Sequence, residues 1–394
     1  MGGCFDLFSV YREIVGNYFL ILTTKMFYFS SYYIPAREFS NIEDVFQYID
    51  PKCFFLVFDA NVIIYLRDFY LDPKQFVVKY KKAGIYENIK QLISKIQQYD
   101  LEVNPSLGID ETSRLKSNFQ IDEEKRQVTT NIVTYLTYLS TQEWDKFIER
   151  KAPETLKTSG DSYPENSLAP YLNTLEDEDH MLLVAYLLSL KFVLIYHDFM
   201  HGNLSPMDAM SELCRFMRED VNCLMAIIKI IALHAFGGDT SFNKIILPTT
   251  NQSNTKKLHD IFKGAIDLCY PTIMHHVARY ISYACTGNIT SIYPVFVSAD
   301  KRLSKLYSLC QLRAMTDNQA PINYCAEIQR YEFNDKLSWT LSDLEAIDKM
   351  YPPDCSNLGF DNQPRMMSHL TPLILECEQK LKDIWGADYT NCSK

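Results

Sequence analysis

One short apolar run constrains the fold of this chain more than any other stretch. Residues 54–58 read Phe-Phe-Leu-Val-Phe, and Asp59 and Asn61 then interrupt the run before apolar residues resume. A run this short, rich in Phe, Leu and Val, is typical of a strand buried in an α/β sheet. Because an unpaired carboxylate inside a sheet is costly, we expect Asp59 at the carboxyl end of the strand, where such sheets bind ligands. Capping of the following helix is an equally open role for Asp59.

The composition of the chain excludes some classes of protein. The chain has 394 residues, long enough for two domains or for one large domain with an insertion, and 47% hydrophobic residues, enough for a sizeable core. A formal net charge of −10 argues against a protein that coats nucleic acid through charge alone. The 11 cysteines show no CxxC pair and no metal-like spacing, which favours reduced thiols and a cytoplasmic location.

The amino-terminal stretch is aromatic but does not resemble a membrane span. Residues 18–34 are rich in Phe, Tyr, Leu and Ile, yet Lys25 and several Ser and Thr interrupt them. No cleavage pattern follows a basic segment, so we expect neither a signal peptide nor contact with a membrane. We predict that residues 1–45 form aromatic strands or a hairpin packed on the main body.

Hydrophobic periodicity predicts the elements that follow. Residues 86–99 carry an apolar helical face, and residues 101–103 form a short strand after it. A helix then opens at Ile109, where Asp110 and Glu111 would favour its first turn through the helix dipole.

Further along the chain, residues 181–195 are apolar on nearly all sides, which predicts a buried central helix. A helix is predicted over 221–236. Residues 257–268 form another, and Pro271 starts or kinks the next segment. Residues 295–300 form a second strand ending in an acid, and residues 322–328 form a further strand.

Acidic residues follow the predicted strands. Asp59 and Asp300 each end a strand, and Glu111 begins a helix after a third. The carboxyl ends of parallel strands lie on one side of a sheet, so these acids can converge. Grouped carboxylates repel one another unless a cation lies between them, and oxygen ligands favour Mg²⁺ or Mn²⁺. Such a site can activate water for attack on a phosphodiester.

These residues resemble the PIN-domain (PIN-like) nucleases. The resemblance rests on Phe-Asp-Ala-Asn-Val at 58–62, on Glu111, and on Phe-Val-Ser-Ala-Asp-Lys-Arg-Leu at 296–303. It implies an α/β fold, a PIN-like parallel sheet sandwiched by helices, here with a large helical insertion. It also implies a Mg²⁺- or Mn²⁺-dependent phosphodiester hydrolase. Most members of the family cleave RNA, and some cleave flap-like or single-stranded DNA.

The resemblance assigns roles to individual residues. Asp59 corresponds to the acid of the first strand, and Asn61 to its polar companion. Glu111 corresponds to the second acid and Asp300 to the acid of the late strand. Ser298 lies where family members often carry Thr or Ser.

Two residues compete for the remaining acid. Asp267 precedes the helical stretch that leads to the Asp300 strand, although Pro271 and the long gap to Asp300 depart from the family pattern. Asp179, followed by the apolar residues 192–196 and by Asp198, offers the same layout. We prefer Asp267, because residues 295–297 have strand length whereas residues 181–196 resemble one continuous helix. The predicted metal ligands are therefore Asp59, Glu111, Asp267 and Asp300.

The resemblance divides the chain into five parts. They are an amino-terminal aromatic extension (1–45), the first half of the PIN-like domain (46–126), a helical insertion (127–250), the second half of that domain (251–335) and a carboxyl-terminal helical extension (336–394).

Three functions fit these observations. The first is a metal-dependent endoribonuclease acting on single-stranded RNA in preference to DNA, with local basic clusters such as Lys79–Lys82, Arg114 with Lys116, and Lys301–Arg302 following the phosphates. The second is a catalytically inactive PIN-like protein whose helical insertion binds a protein partner or a second copy of the chain. The third is an enzyme acting on small phosphoesters.

Overall fold

The computed structural model describes residues 27–31, 38–116, 119–150, 180–221, 223, 225–249, 252–286, 292–312, 326–328, 337–350 and 363–391. Over these residues the chain is mostly helical. Its strands are β1 (Tyr28–Ser30), β2 (Glu38–Phe39), β3 (Phe54–Phe58), β4 (Glu102–Asn104), β5 (Tyr293–Ser298), β6 (Cys310–Leu312) and β7 (Ala326–Ile328).

The helices of the first half are α1 (Ile42–Val45), α2 (Ala60–Leu71), α3 (Pro73–Tyr80), α4 (Ile85–Tyr99), α5 (Ser106–Ser113), α6 (Glu123–Tyr138) and α7 (Thr141–Phe147). Those of the second half are α8 (His180–Met200), α9 (Pro206–Arg215), α10 (Ala226–Phe236), α11 (Asn243–Ile246), α12 (Asn254–Thr286), α13 (Lys301–Leu309), α14 (Leu341–Met350) and α15 (Gln363–Asn391).

The main sheet is mixed and has the order β2-β1-β5-β3-β4. β3 pairs in parallel with β4 and with β5, so Leu56 lies opposite both Val103 and Val295. β1 pairs antiparallel with β5, and β2 antiparallel with β1. The expectation of a parallel sheet therefore holds for β4-β3-β5 and is wrong for the edge formed by the amino-terminal strands. The aromatic extension contributes strands to the sheet itself.

The side chains of β3 divide the apolar core into two clusters. Phe54, Leu56 and Phe58 pack with α2, α4 and α6, whereas Phe55 and Val57 pack with α8, α12 and the helices around them. This alternation follows from the period of two in a strand, and the all-apolar sequence of β3 is explained by helices on both faces.

Three helix boundaries differ from the sequence-based predictions. α5 begins at Ser106 and not at Ile109. A π-helix covers Phe216–Val221 and α10 begins only at Ala226, so the predicted helix 221–236 is too long. α12 continues without interruption through Pro271, which removes one backbone donor but does not end the helix.

The predicted central helix is confirmed as α8, whose residues 182–188 are buried. Among the described residues, one helical segment, Met181–Met200, is long and apolar enough to cross a membrane, and 67% of its apolar window is buried. Core helices of globular proteins share these properties, and the absence of membrane contact stays a prediction.

The five-part division of the chain also stays a prediction. Packing crosses two of its boundaries. α6, which begins before the predicted insertion and continues into it, and α7 within it pack in the same apolar cluster as α2 and α4. α15 of the carboxyl-terminal extension packs with α8.

A glycine allows α5 to approach the end of β3. A β carbon at Gly108 would lie 2.6 Å from the carbonyl oxygen of Phe58 and 2.8 Å from Cγ1 of Ile63. Since the first of these atoms belongs to the backbone, it cannot rotate away. Gly108 therefore sets the distance between α5, which carries Glu111, and the strand that ends at Asp59.

We predict that Gly108→Ala lowers the free energy of unfolding by about 1–3 kcal/mol, because a methyl group is forced against fixed backbone. Urea denaturation followed by circular dichroism measures the change. The matched control is Gly386→Ala in α15, where no atom outside the neighbouring backbone of that helix lies within 4 Å of the added carbon. That substitution should stabilise the chain by about 0.5–1 kcal/mol. Equal effects of the two substitutions would contradict the packing constraint at Gly108.

Candidate metal centre

Asp59 lies directly after β3, at the amino end of α2, and its side chain makes no helix-capping hydrogen bond. Asp59 is buried, with 3% of the residue exposed. Its Oδ2 atom accepts hydrogen bonds from the hydroxyl of Ser298, at 2.5 Å, and from the side-chain amide of Asn61. The structure therefore does not support the capping role for Asp59, since its oxygens are directed to side chains at the sheet edge.

Asn61 and Ser298 join the ends of β3 and β5 around this carboxylate. Asn61 Nδ2 donates to Ser298 Oγ over 3.1 Å, and Asn61 Oδ1 accepts from the backbone amide of Ala299 over 2.8 Å. Ser298 Oγ also accepts from the amide of Asp300 over 2.9 Å. Both residues predicted to accompany the acids thus make direct contacts that fix the position of Asp59.

Glu111 lies in the second half of α5, so the helix dipole that favours an acid in a first turn does not explain it. Because α5 begins at Ser106, neither Asp110 nor Glu111 lies in its first turn, and the predicted dipole role is wrong for both. Asp110 forms an ion pair with Arg126 of α6 over 2.8 Å. Glu111 Oε2 instead accepts a hydrogen bond from the hydroxyl of Tyr270 over 2.9 Å.

Asp267 lies on α12, three residues before Tyr270 on the same helical face. In a regular helix, the amide four residues later would bond to the Asp267 carbonyl, but that residue is Pro271, which has no N–H. The hydroxyl of Tyr307 on α13 donates to this carbonyl. The proline that weakened the prediction of Asp267 is thus compensated by a tyrosine from α13. The competing acid, Asp179, lies outside the described residues.

The structure brings Asp59, Glu111 and Asp267 together. Each offers a carboxylate oxygen, and these three oxygens lie within 4.8 Å of one another. Asp300 lies outside this set, and its two oxygens accept hydrogen bonds of 3.2 and 2.8 Å from the guanidinium of Arg302. We call Asp59, Glu111 and Asp267 the acid cluster. A role of Asp300 as a fourth ligand stays a prediction.

Electrostatic repulsion is strong within the acid cluster. Burial and the charge of Glu111 raise the pKa of Asp59 to about 8, against the effect of the Ser298 hydrogen bond. Burial, Glu111 and Asp59 raise the pKa of Asp267 well above its usual range. Burial raises the pKa of Glu111 too, although the Tyr270 hydrogen bond and the charge of Lys263 oppose the increase. Three anions in this space therefore need a cation to stay ionised together.

Asp300 behaves differently. Burial acts to raise its pKa, but hydrogen bonds and charge from Arg302 outweigh burial and lower the pKa below the ordinary value. Asp300 is therefore compensated by Arg302, and its charge also acts to raise the pKa of Asp59 and of Asp267.

Three residues escaped the sequence-based prediction of the site. The hydroxyl of Tyr270 donates a hydrogen bond to Glu111, and that of Tyr307 donates one to the backbone carbonyl of Asp267. Gly108 allows α5 to approach the end of β3. A tyrosine one turn after Asp267 and a glycine inside a helix were the available signals. The partner of Tyr307 could not be found from sequence, because the contact joins two helices.

The donor set of the acid cluster fits a hard divalent cation. Its oxygens come from three carboxylates and from no sulfur or imidazole, which suits Mg²⁺ or Mn²⁺ better than Zn²⁺. The neighbouring hydroxyls and amide of Ser298, Tyr270 and Asn61 fix two of the ligands from outside, as is usual for metal sites.

Comparison of this chain with family models, with curated proteins and with solved structures finds no match.

We predict that, without divalent ions, the protein loses stability as the pH rises. A carboxyl whose pKa is higher in the folded than in the unfolded state binds more protons when folded. Its contribution is full below the unfolded pKa of about 3.9 and is lost as the pH rises through the folded value. For Asp59 that value is about 8. Urea denaturation in EDTA should show a decreasing free energy of unfolding between pH 5 and pH 8.5.

Asp59→Asn should flatten this pH dependence, because the amide carries no charge. Glu345→Gln is the matched control, since Glu345 is an exposed acid of α14. Its pH dependence should equal that of the wild type. A wild-type stability that rises with pH in EDTA would contradict the repulsion within the acid cluster.

Proposed function

We propose that this chain is a metal-dependent PIN-like nuclease that hydrolyses phosphodiester bonds in single-stranded RNA. The observation that carries the proposal is the convergence of Asp59, Glu111 and Asp267 from three separate segments on one edge of the sheet. Mutual repulsion among three buried carboxyls destabilises the fold, and such clusters are typical of functional sites.

The order of the elements supports the PIN-like assignment. An acid follows the first parallel strand of the core, a second lies on a helix after β4, and a third lies on the helix before β5. Ser298 ends β5, and Asp300 follows it. This succession matches the pattern on which the resemblance rests. Because most members of that family cleave RNA, we propose RNA over DNA as the substrate.

In this proposal Asp59, Glu111 and Asp267 hold one or more Mg²⁺ or Mn²⁺ ions. When bound, such an ion supplies Lewis acidity toward a phosphodiester oxygen and lowers the pKa of water. Ser298 and Asn61 orient the carboxylate of Asp59, and Tyr270 orients that of Glu111. Since the pKa of Asp59 is raised to about 8, its carboxyl releases a proton when a cation binds near neutral pH.

Cleavage of a fluorescent single-stranded RNA in Mn²⁺, with EDTA as the negative condition, tests the proposal. We expect cleavage by the wild type in Mn²⁺ alone. Asp59→Asn and Asp267→Asn should each lower the rate by at least about a hundredfold, because each removes a charge that holds the ion. Glu345→Gln, the exposed acid of α14, should cleave like the wild type. Cleavage at the wild-type rate by Asp59→Asn would overturn the proposal.

Tyr270→Phe tests the support of the ligands. Loss of the hydroxyl removes the hydrogen bond that favours the ionised form of Glu111, so affinity for Mn²⁺ should fall by about tenfold. Isothermal titration with Mn²⁺ at pH 7 measures this. The control is Tyr138→Phe, at a tyrosine of α6 that is 83% exposed. Unchanged Mn²⁺ affinity in Tyr270→Phe would show that its hydroxyl has no role at the site.

A further inference from the structure

Positive charge gathers on one side of the acid cluster. Lys263 is exposed on α12 and precedes Asp267 by four residues, so the two side chains share a helical face. Arg114 follows α5 immediately, and its backbone amide donates to the carbonyl of Glu111. Two cations thus lie one helical turn from two of the acids, on two different segments.

The segment that follows α5 packs on α12 next to these cations. Arg114 Nη1 donates to the carbonyl of Phe119 over 2.9 Å, and Arg114 forms an antiparallel bridge with Ile121. Phe119 is 1% exposed and lies 4.9 Å from the ring of Phe262 on α12. The guanidinium of Arg114 lies 5.8 Å from the same ring. This packing places Lys116, which is exposed, beside α12.

A buried histidine shows that the lysines converge. His259 on α12 is 4% exposed and lies 4.8 Å from the ring of Phe119. Burial lowers the pKa of His259 to about 3, and the charges of Lys263, Lys256 and Lys116 act in the same direction. Lys256 is partly compensated by its ion pair with Asp260 over 2.8 Å. Lys116 and Lys263 therefore reach the same region from two segments.

We propose that Arg114, Lys116 and Lys263 form a phosphate-binding track for single-stranded nucleic acid, leading along α12 to the acid cluster. This inference rests on the proposed nuclease function. The chain has a formal net charge of −10, yet Arg114, Lys116 and Lys263 gather from two segments on and beside α12. Lysine and arginine bound to phosphates would position a polynucleotide without reading its sequence.

The structure favours this track over the basic cluster at Lys79–Lys82. Lys79 lies on α3, 3.7 Å from Asp68 near the far end of α2, and its ammonium lies 4.7 Å from the ring of Tyr80. Asp59 lies at the opposite end of α2. Lys79 therefore provides a matched control for the track.

Binding of a labelled single-stranded RNA to the full-length Asp59→Asn protein, measured by fluorescence anisotropy in Mg²⁺, tests the proposal. Adding Lys116→Gln and Lys263→Gln should weaken binding at least tenfold. It should also reduce the slope of log K against log salt by about 0.7 for each lysine removed. Adding Lys79→Gln should change neither quantity. Lys116→Arg with Lys263→Arg should restore binding, which separates lost charge from a folding defect.

Single-stranded DNA of the same sequence should lose affinity to the same extent, because both polymers carry backbone phosphates. Loss restricted to RNA would overturn the phosphate track in favour of contacts to the 2′-hydroxyl. Unchanged affinity after removal of both lysines, or a larger effect of Lys79→Gln, would also overturn it.

Hydrolysis of bis(p-nitrophenyl) phosphate by the wild type in Mn²⁺ separates the two proposals, because this small diester needs no extended track. If the wild type hydrolyses this diester and removal of both lysines leaves oligonucleotide binding unchanged, the proposed metal centre is supported and the phosphate track is contradicted. If neither the diester nor RNA is hydrolysed but binding depends on the lysines, the phosphate track is supported and the nuclease function is contradicted.

Discussion

The hydrogen bond between Ser298 and Asp59 joins the ends of two parallel strands, and the candidate site depends on that junction. Parallel pairing of β3 with β5 puts both strand ends at one edge. The amide of Asp59 donates to the carbonyl of Val297 over 3.0 Å, which continues the ladder one residue beyond β3. The carboxylate is therefore held at the edge by backbone as well as by side chains, close to the helices that carry Glu111 and Asp267.

Repulsion among the acids is balanced by groups of different kinds around the cluster. Tyr270 and Ser298 act through hydrogen bonds, whereas Lys263 acts through charge from the solvent side. Even with these groups present, the pKa of Asp59 stays above its ordinary value. The arrangement resembles a binding site more than a structural ion pair, because in a structural pair such as Asp110 with Arg126 the carboxylate already faces an opposite charge.

Strand ends could be predicted from the sequence, because β3 and β5 are short apolar runs that each stop at a polar residue. Glu111 and Asp267 could be proposed, but their contacts could not, since these depend on how two helices meet the sheet. The start of α5 was misplaced because Asn104, Pro105 and Gly108 are residues typical of a turn. Strands were predicted within residues 1–45, but the antiparallel pairing of β1 with β5 was not, because a three-residue strand carries too little periodicity to show its partner. Pro271 was misleading, because its effect is compensated by Tyr307, which is distant in sequence.

The distance along the chain between the acids has a consequence during synthesis. Asp59 and Glu111 leave the ribosome early, whereas Asp267 and Tyr270 follow only after the whole series of helices α6 to α11. β5, which supplies Ser298, emerges later still. A nascent polypeptide that has not yet exposed α12 and β5 holds only Asp59 and Glu111 of the acid cluster and lacks the hydroxyls of Tyr270 and Ser298, so the cluster assembles only after both elements have been synthesised.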